Sequence, residues 1–168
     1  PAKNSTAKII RRMSNRFILL YSQGRARDFA SQASLRDNDR DNDSQEISTP
    51  MQDLTLVMAQ LDPLVGDIPR NADRAIEAVR EARIEHGADI VVFPELFLSG
   101  YPPEDLLLRP SMETRLREAR SRMAAKMSRD VLVIIGYPGR REGLGYNLAG
   151  LLYNGEWIGE YAKQILPN

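Results

Sequence analysis

The sequence predicts an α/β fold, in which helices cover a β-sheet, and three observations support this class. From Met51 onward, short apolar runs alternate with amphipathic stretches in the order β-α-β-α-β. The first of these runs is continuously apolar, as expected for a strand in a sheet covered on its faces. The alternation ends in two extended segments that flank Asn154-Gly155, a strong hairpin signal.

Each element follows from a local pattern. The predicted strands are Leu54–Gln60, Ile90–Phe93, Val131–Gly136, Tyr146–Tyr153 and Glu156–Tyr161. A first helix is predicted at about residues 72–86, with Asn71 as its N-cap and Gly87 at its C-terminal end. A second helix begins near Ser111, because apolar residues recur there at helical spacing: Met112, Leu116, Ala119, Met123 and Met127. Residues 138–145, PGRREGLG, are predicted to form a turn-rich loop.

Residues 1–50 differ in character from residues 51–168. Residues 1–27 hold seven basic side chains and no acidic one, and residues 37–43 read DNDRDND. A short helix with Ile9, Ile10, Met13, Phe17 and Leu20 on one face is one interpretation, and a transit peptide is another. The preferred hypothesis is that Met51 is the natural start and that residues 1–50 are a disordered or non-native extension without a fold.

Composition excludes several function classes. Residues 1–50 carry 9 Lys and Arg against 6 Asp and Glu, and residues 51–168 carry 14 against 17, so neither part suggests a nucleic-acid or anionic-membrane surface. No apolar run is long enough to span a bilayer. The chain contains no cysteine, which excludes disulfides and thiolate metal sites within it and fits a cytoplasmic protein.

Glu95 is the first candidate for chemistry. It follows the apolar run IVVFP, and Pro94 lacks the N–H that would continue sheet pairing. The side chain of Glu95 is therefore expected at the C-terminal edge of a strand, where α/β proteins build their sites. A surface carboxylate or a partner of a helix dipole is the alternative interpretation.

Two further residues are candidates at this stage. Lys163 lies just beyond the second hairpin strand, and near a carboxylate and an acyl carbon its ammonium could stabilise a developing oxyanion. Tyr101 follows Gly100 in the loop after Glu95 and could line a pocket there. An exposed lysine and an exposed loop tyrosine are the alternatives.

Other patterns carry no function. The run DNDRDND fails as a calcium loop, because Asn42 replaces the turn glycine and Ser48 replaces the bidentate glutamate. No GxGxxG or GxxxxGK[ST] sequence occurs, and no metal site is predicted. The single histidine, His86, is interpreted as a contact at a helix end, and Asn147 as a buried hydrogen-bonding residue.

Residues 51–168 resemble the start of a carbon-nitrogen hydrolase domain of the nitrilase superfamily. The shared features are Ala59-Gln60, FPE at residues 93–95, Gly100-Tyr101 and Y-x-K-x-x-L-P at residues 161–167. The strings QLDPLVGDIPRN and SGYPPEDLLLRP are similar, more narrowly, to the N-terminal glutaminase domain of glutamine-dependent NAD synthetases.

The resemblance implies a partial α-β-β-α sandwich of the nitrilase type, truncated at its C-terminal end. It implies a Glu-Lys-Cys triad with Glu95 as general base and Lys163 as catalytic lysine, and Tyr101 in the glutamine pocket. It also implies glutamine as substrate, a synthetase domain that uses ATP and Mg²⁺ to amidate deamido-NAD, and homo-oligomers of the longer protein. No cofactor is expected on residues 1–168 themselves.

The nucleophilic cysteine of the family is expected a few dozen residues beyond Lys163 and has no counterpart in this chain. The expectation is therefore that residues 51–168, as the N-terminal half of such a domain, are inactive and aggregation-prone alone. Two other hypotheses stay open: an amidase or nitrilase without a synthetase partner, and a non-catalytic α/β binding module.

Overall fold

The computed structural model describes residues 16–21 and 54–164, and strands and helices alternate from Thr55 to Arg141. The elements are β1 (Arg16–Tyr21), β2 (Thr55–Gln60), α1 (Ile68–His86), β3 (Ile90–Val92), a 3₁₀ helix (Glu104–Leu108), α2 (Pro110–Lys126), β4 (Leu132–Arg141), β5 (Leu144–Tyr153) and β6 (Glu156–Ala162). The predicted β-α-β-α-β order followed by a hairpin is confirmed over residues 54–164.

The strands form one mixed sheet whose spatial order is the sequence order, β1 to β6. Strands β1 to β4 are parallel, and β4, β5 and β6 pair antiparallel. Helix α1 connects β2 to β3 and α2 connects β3 to β4, as parallel neighbours require. The predicted α/β class is therefore confirmed, and the C-terminal ends of β2, β3 and β4 meet at one edge of the sheet.

The two faces of the sheet differ in burial. Alternate residues Val57, Val91 and Val133 are fully buried in the core that includes the apolar faces of α1 and α2. The predicted stripe of α2 is buried as well, at Met112, Leu116, Ala119, Met123 and Met127. On the opposite face Met58 is 41% exposed and Ile90 is half-buried. The sheet therefore has a covered face and a partly uncovered apolar face.

The prediction that Asn71 caps α1 is wrong, because the helix begins one turn earlier. Asp67 is the N-cap, and its Oδ1 accepts a hydrogen bond from the backbone N–H of Arg70 at 3.3 Å. At the other end, Gly87 adopts the left-handed conformation, with φ of 63°, and closes the helix as predicted.

Asn71 instead joins three segments from inside α1. Its side chain is fully buried, and its Oδ1 accepts a hydrogen bond from the N–H of Leu64 at 2.9 Å. Its Nδ2 donates to the carbonyl of Leu64 at 2.7 Å and to the carbonyl of Leu98 at 3.2 Å. Since Leu98 belongs to the loop after β3, Asn71 fixes that loop against the start of α1.

Replacing Asn71 with Ala should reduce the free energy of unfolding by about 2–4 kcal/mol, because the part-buried backbone groups of Leu64 and the buried carbonyl of Leu98 lose their partner. Urea denaturation measures this loss. Ile84→Ala is the matched control on the same helix: Ile84 is 72% exposed, and its truncation should cost no more than about 0.5 kcal/mol. Equal losses in the two variants would contradict the structural role of Asn71.

The hairpin at Asn154-Gly155 is confirmed, with φ of 51° and 86° at its two turn residues. The prediction of a loop over residues 138–145 is wrong. There β4 and β5 continue their antiparallel pairing to Arg141 and Leu144. Pro138 is tolerated because β3 pairs with β4 only as far as Ile134, so the position of Pro138 has a strand on one side only.

Residues 16–21 also depart from expectation. They form β1, paired parallel with β2 from Arg16 opposite Thr55 to Tyr21 opposite Gln60. The helical interpretation of this segment is therefore wrong at Phe17 and Leu20, and an extension without any fold does not describe residues 16–21. The predictions for the remainder of residues 1–50 lie outside the described residues.

Candidate active site

Glu95 lies in a tight turn at the C-terminal end of β3. The turn is anchored to β4 on both sides, by hydrogen bonds from the N–H of Phe93 to Ile134 O at 2.8 Å and from the N–H of Leu98 to Gly136 O at 3.1 Å. Leu96 has a positive φ of 52°, which an L-residue seldom adopts. The turn therefore holds Glu95 at the sheet edge where the sequence predicts it.

The turn approaches β4 so closely that only glycine fits opposite it. A Cβ built at Gly136 would lie 2.5 Å from the backbone N of Leu96 and 2.6 Å from the carbonyl oxygen of Pro94. These are backbone atoms, which cannot rotate away. Gly136 therefore sets the position of Glu95, although it does not touch the carboxylate.

Lys163 directly follows β6, and its side chain reaches the carboxylate of Glu95. Its backbone N–H donates to the carbonyl of Asn147 at 2.9 Å, which extends the pairing of β5 and β6 by one residue. Its Nζ lies 2.8 Å from Oε1 of Glu95. The structure thus joins two predicted site residues that are 68 positions apart in sequence. Their catalytic roles stay predictions.

Asn147 is a third member: the sequence predicts a buried hydrogen-bonding residue there, but not that its partner is Glu95. It is half-buried, and its Nδ2 donates to the same Oε1 of Glu95 at 2.5 Å. A signal for it was present: in a regular hairpin around Asn154-Gly155, Asn147 falls opposite Ala162, one residue from Lys163. We refer to Glu95, Asn147 and Lys163 as the Glu95 site.

The Glu95 site favours an ionised carboxylate. The hydrogen bond from Lys163 lowers the pKa of Glu95 below its usual range, and the hydrogen bond from Asn147 and the charge of Lys163 act in the same direction. Partial burial of the side chain, which is 45% exposed, raises the pKa and is the second-largest effect after the Lys163 hydrogen bond, but the lowering effects together outweigh it. At neutral pH Glu95 is therefore a proton acceptor paired with an ammonium group.

A lowered pKa in the folded state predicts a pH-dependent contribution to stability. The contribution of Glu95 is fully present above the pKa of an unfolded glutamate and is lost as pH falls through the lower folded pKa. The difference in unfolding free energy between wild type and Glu95→Gln should therefore shrink as the solution is acidified into that range. Urea denaturation at a series of pH values measures this; a difference that is constant with pH would contradict it.

Glu95 opens onto a cavity of about 660 Å³ between α2, β4 and β5. Tyr101 and Asn147 line it as well, so the structure brings Tyr101 to the same cavity as Glu95, with a side chain that is 62% exposed. The rest of the lining combines leucines, basic side chains and two further carboxylates, among them Leu107, Leu108, Leu116, Leu148, Arg117, Arg120, Arg140, Arg141, Glu113 and Glu160. Such a lining suits a ligand with an anionic or amide group and an aliphatic part.

The Glu95 site can accept a proton and can stabilise a negative oxygen, but the chain has no thiol to act as its nucleophile. Within residues 54–164, no group of three or more His, Asp or Glu side chains is arranged to bind a metal ion. No helix in the same part of the chain combines the length and apolar character that crossing a membrane requires.

Comparisons with known proteins show which proteins the chain resembles. The family model for carbon-nitrogen hydrolases matches residues 55–168. Among curated proteins, the chain is 45% identical over 115 residues to the glutamine-dependent NAD(+) synthetase of Xylella fastidiosa strain Temecula1, covering 68% of this chain and 21% of that protein. The chain thus spans about a fifth of the length of the curated relatives it matches.

The chain also matches solved structures of a glutamine-dependent NAD+ synthetase and of an amidase. The glutamine-dependent NAD+ synthetase of Acinetobacter baumannii matches with a TM-score of 0.60 and 35% identity, over 64% of this chain and 20% of that one. A variant of an amidase from Nesterenkonia sp. matches with a TM-score of 0.59 and 26% identity, over 67% of this chain and 45% of that one. In that amidase structure, acrylamide has undergone Michael addition at the active-site cysteine.

Proposed function

Because the chain belongs to the carbon-nitrogen hydrolase family, we propose that residues 55–168 contribute the base and the lysine of a glutaminase site in an NAD synthetase. The observation that carries this proposal is the 2.8 Å contact between Lys163 Nζ and Glu95 Oε1, beside a cavity of about 660 Å³ that Glu95 lines. The 45% identity to a glutamine-dependent NAD(+) synthetase supports the choice of glutamine.

In this proposal Glu95 takes the proton of an attacking thiol, and the thiolate adds to the carbon of the glutamine side-chain amide. Lys163 stabilises the negative oxygen of the tetrahedral intermediate. The proton returns to the leaving nitrogen, ammonia departs, and water releases glutamate from the thioester. Asn147 holds the Glu95 carboxylate in place, and Tyr101 contacts the bound glutamine.

The thiol must come from outside the 168 residues, because they include no cysteine. We expect the purified chain to release no more ammonia from glutamine than its Glu95→Ala variant. The amidation of deamido-NAD would use ATP and Mg²⁺ on a separate synthetase domain, and no step of it is assigned to this chain, which has no phosphate-binding loop sequence. A cytoplasmic location and homo-oligomers of the longer protein belong to the same proposal.

One specific observation favours a second candidate, a simple amidase. The Nesterenkonia amidase matches the chain with nearly the same TM-score as the synthetase structure. Its sequence identity is lower, 26% against 35%, and the synthetase is therefore the preferred candidate.

A chimera tests the proposal directly. Residues 55–168 replace the matched segment of the Xylella fastidiosa synthetase, and NAD formation from deamido-NAD and ATP is measured with glutamine or with ammonium chloride as the nitrogen donor. The ammonium reaction bypasses the grafted segment and reports whether the synthetase part is intact. We expect activity with both donors.

A chimera that uses ammonium but not glutamine would contradict the proposal. Release of ammonia from simple aliphatic amides, but not from glutamine, would favour the amidase candidate instead. The amide that the chimera hydrolyses, glutamine or a simple aliphatic amide, therefore distinguishes the two candidate functions.

A further inference from the structure

Glu160, on β6, is the centre of a polar cluster that the Glu95 site does not include. We define the Glu160 cluster as Arg120, Tyr137, Arg141, Trp157 and Glu160. The hydroxyl of Tyr137 donates to Oε1 of Glu160 at 2.6 Å. A guanidinium nitrogen of Arg120 lies 2.8 Å from the same oxygen, and one of Arg141 lies 2.8 Å from Oε2. One carboxylate therefore binds three side chains from α2 and β4.

The cluster is packed as well as hydrogen-bonded. The Arg120 guanidinium lies 4.8 Å from the ring centre of Tyr137 and 4.5 Å from that of Trp157, within the range of cation–π contacts. The indole N–H of Trp157 donates to the carbonyl of Arg120 at 3.2 Å. A Cβ at Gly150 would meet the Tyr137 hydroxyl at 2.5 Å, so this position on β5 leaves space for the cluster. Strand β6 is thereby fixed to α2.

A register shift brings Trp157 and Glu160 into the same cluster. Leu151 pairs with Gly159, whereas Leu152 pairs with Trp157, so Ile158 is an extra residue in β6. Without it, residues 157 and 160 would point to opposite faces of the sheet, because side chains alternate along a strand. The bulge therefore allows Trp157 and Glu160 to contact Arg120 together.

The contacts within the cluster favour an ionised Glu160. Its side chain is 24% exposed. Burial alone would raise the pKa of Glu160, but the hydrogen bonds from Tyr137 and Arg141 and the charge of Arg120 outweigh it and lower the pKa. The carboxylate is therefore ionised and bound at neutral pH.

The position of the cluster along the chain links it to the Glu95 site. Among the described strands β6 lies at the edge of the sheet and pairs with β5 alone. Glu160 is three residues before Lys163 and pairs with Gly150 in the middle of β5. Strand β6 is thus held by its pairing with β5 and also by the contacts of Glu160 with α2 and β4. These contacts lie close to the C-terminal end of β6, which Lys163 follows.

We propose that Glu160 is a positioning residue, which fixes the end of β6 so that Lys163 Nζ reaches Glu95 Oε1. Its importance for catalysis rests on the proposed glutaminase function, but the positioning itself is a property of the folded chain. It can therefore be tested without glutamine, and a chimera that failed to use glutamine would leave this test unaffected.

The test measures the pKa of Glu95 by carbon-13 NMR in the 168-residue chain and in Glu160→Gln. Two effects of this substitution have opposite signs. Removal of a nearby negative charge would lower the pKa of Glu95 through space, whereas a loosened hydrogen bond from Lys163 would raise it. We expect a rise toward the usual glutamate value.

Glu156→Gln is the matched control, because Glu156 is exposed on the same strand and the carboxylate that binds Arg120, Tyr137 and Arg141 is that of Glu160. It should leave the pKa of Glu95 unchanged. A fall or no change in Glu160→Gln would overturn the proposal. If Glu160→Gln does not fold, Tyr137→Phe takes its place in the same test. This substitution removes one hydrogen bond to Glu160 without a change of charge. We again expect the pKa of Glu95 to rise, and a fall or no change would overturn the proposal.

Discussion

Glu95→Gln in the chimera should reduce glutamine-dependent NAD formation by about two to four orders of magnitude, the usual contribution of a general base. The amide of Gln keeps the size of the side chain and an oxygen that can accept from Lys163 and Asn147. It cannot take up the proton of a thiol. The rate with ammonium chloride should stay unchanged, because that reaction does not pass through the grafted site.

Glu118→Gln is the matched control for this prediction. Glu118 is exposed on α2 and does not line the cavity, so its replacement removes one carboxylate without touching the site. Parallel rate assays of the three proteins with each nitrogen donor make the measurement. Equal glutamine-dependent rates in Glu95→Gln and Glu118→Gln would contradict a catalytic role for Glu95.

Gly136→Ala should destabilise the fold by about 1–3 kcal/mol and displace Glu95 as well. The added methyl group would overlap backbone atoms of Pro94, Glu95 and Leu96, all within 3 Å. Either the Glu95 turn moves away from β4 or β4 itself shifts, since no side-chain rotation relieves the contact. Urea denaturation gives the stability loss, and the pKa of Glu95 reports whether its contact with Lys163 survives.

Gly159→Ala provides the control for Gly136→Ala. Gly159 is also a strand glycine, but a Cβ built there meets no atom within 4 Å. It should retain both the stability and the Glu95 pKa of the wild type. Similar losses in the two variants would mean that alanine at any strand glycine is harmful, and that the close approach at Gly136 has no special role.

The elements that sequence predicted correctly are those specified by local patterns. The apolar stripe of α2 has helical spacing, and Asn154-Gly155 has the turn chemistry of a hairpin, so neither requires knowledge of distant residues. Asn71 was misassigned because its partners are backbone groups of two loops, one of them 27 residues away. Local capping preferences contain no information about such contacts.

The candidate site was predictable to a lesser degree. Glu95 and Lys163 were found from their sequence context and a family resemblance, whereas their contact depends on the pairing of β5 with β6. The Glu160 cluster was not predictable, because it requires the extra residue at Ile158 and the approach of Arg120 from α2. A bulge has no clear signal in a single strand sequence, and cation–π contacts join residues from separate elements.

The contact between Glu95 and Lys163 is tested most directly by carbon-13 NMR titration of Glu95 in the wild-type chain and in Lys163→Met. Methionine retains much of the length of lysine but has neither its charge nor its hydrogen-bond donors. We predict a wild-type pKa below the usual glutamate range that rises toward it in Lys163→Met. A wild-type pKa within the usual range, unchanged by Lys163→Met, would contradict the pairing of the two residues in one site.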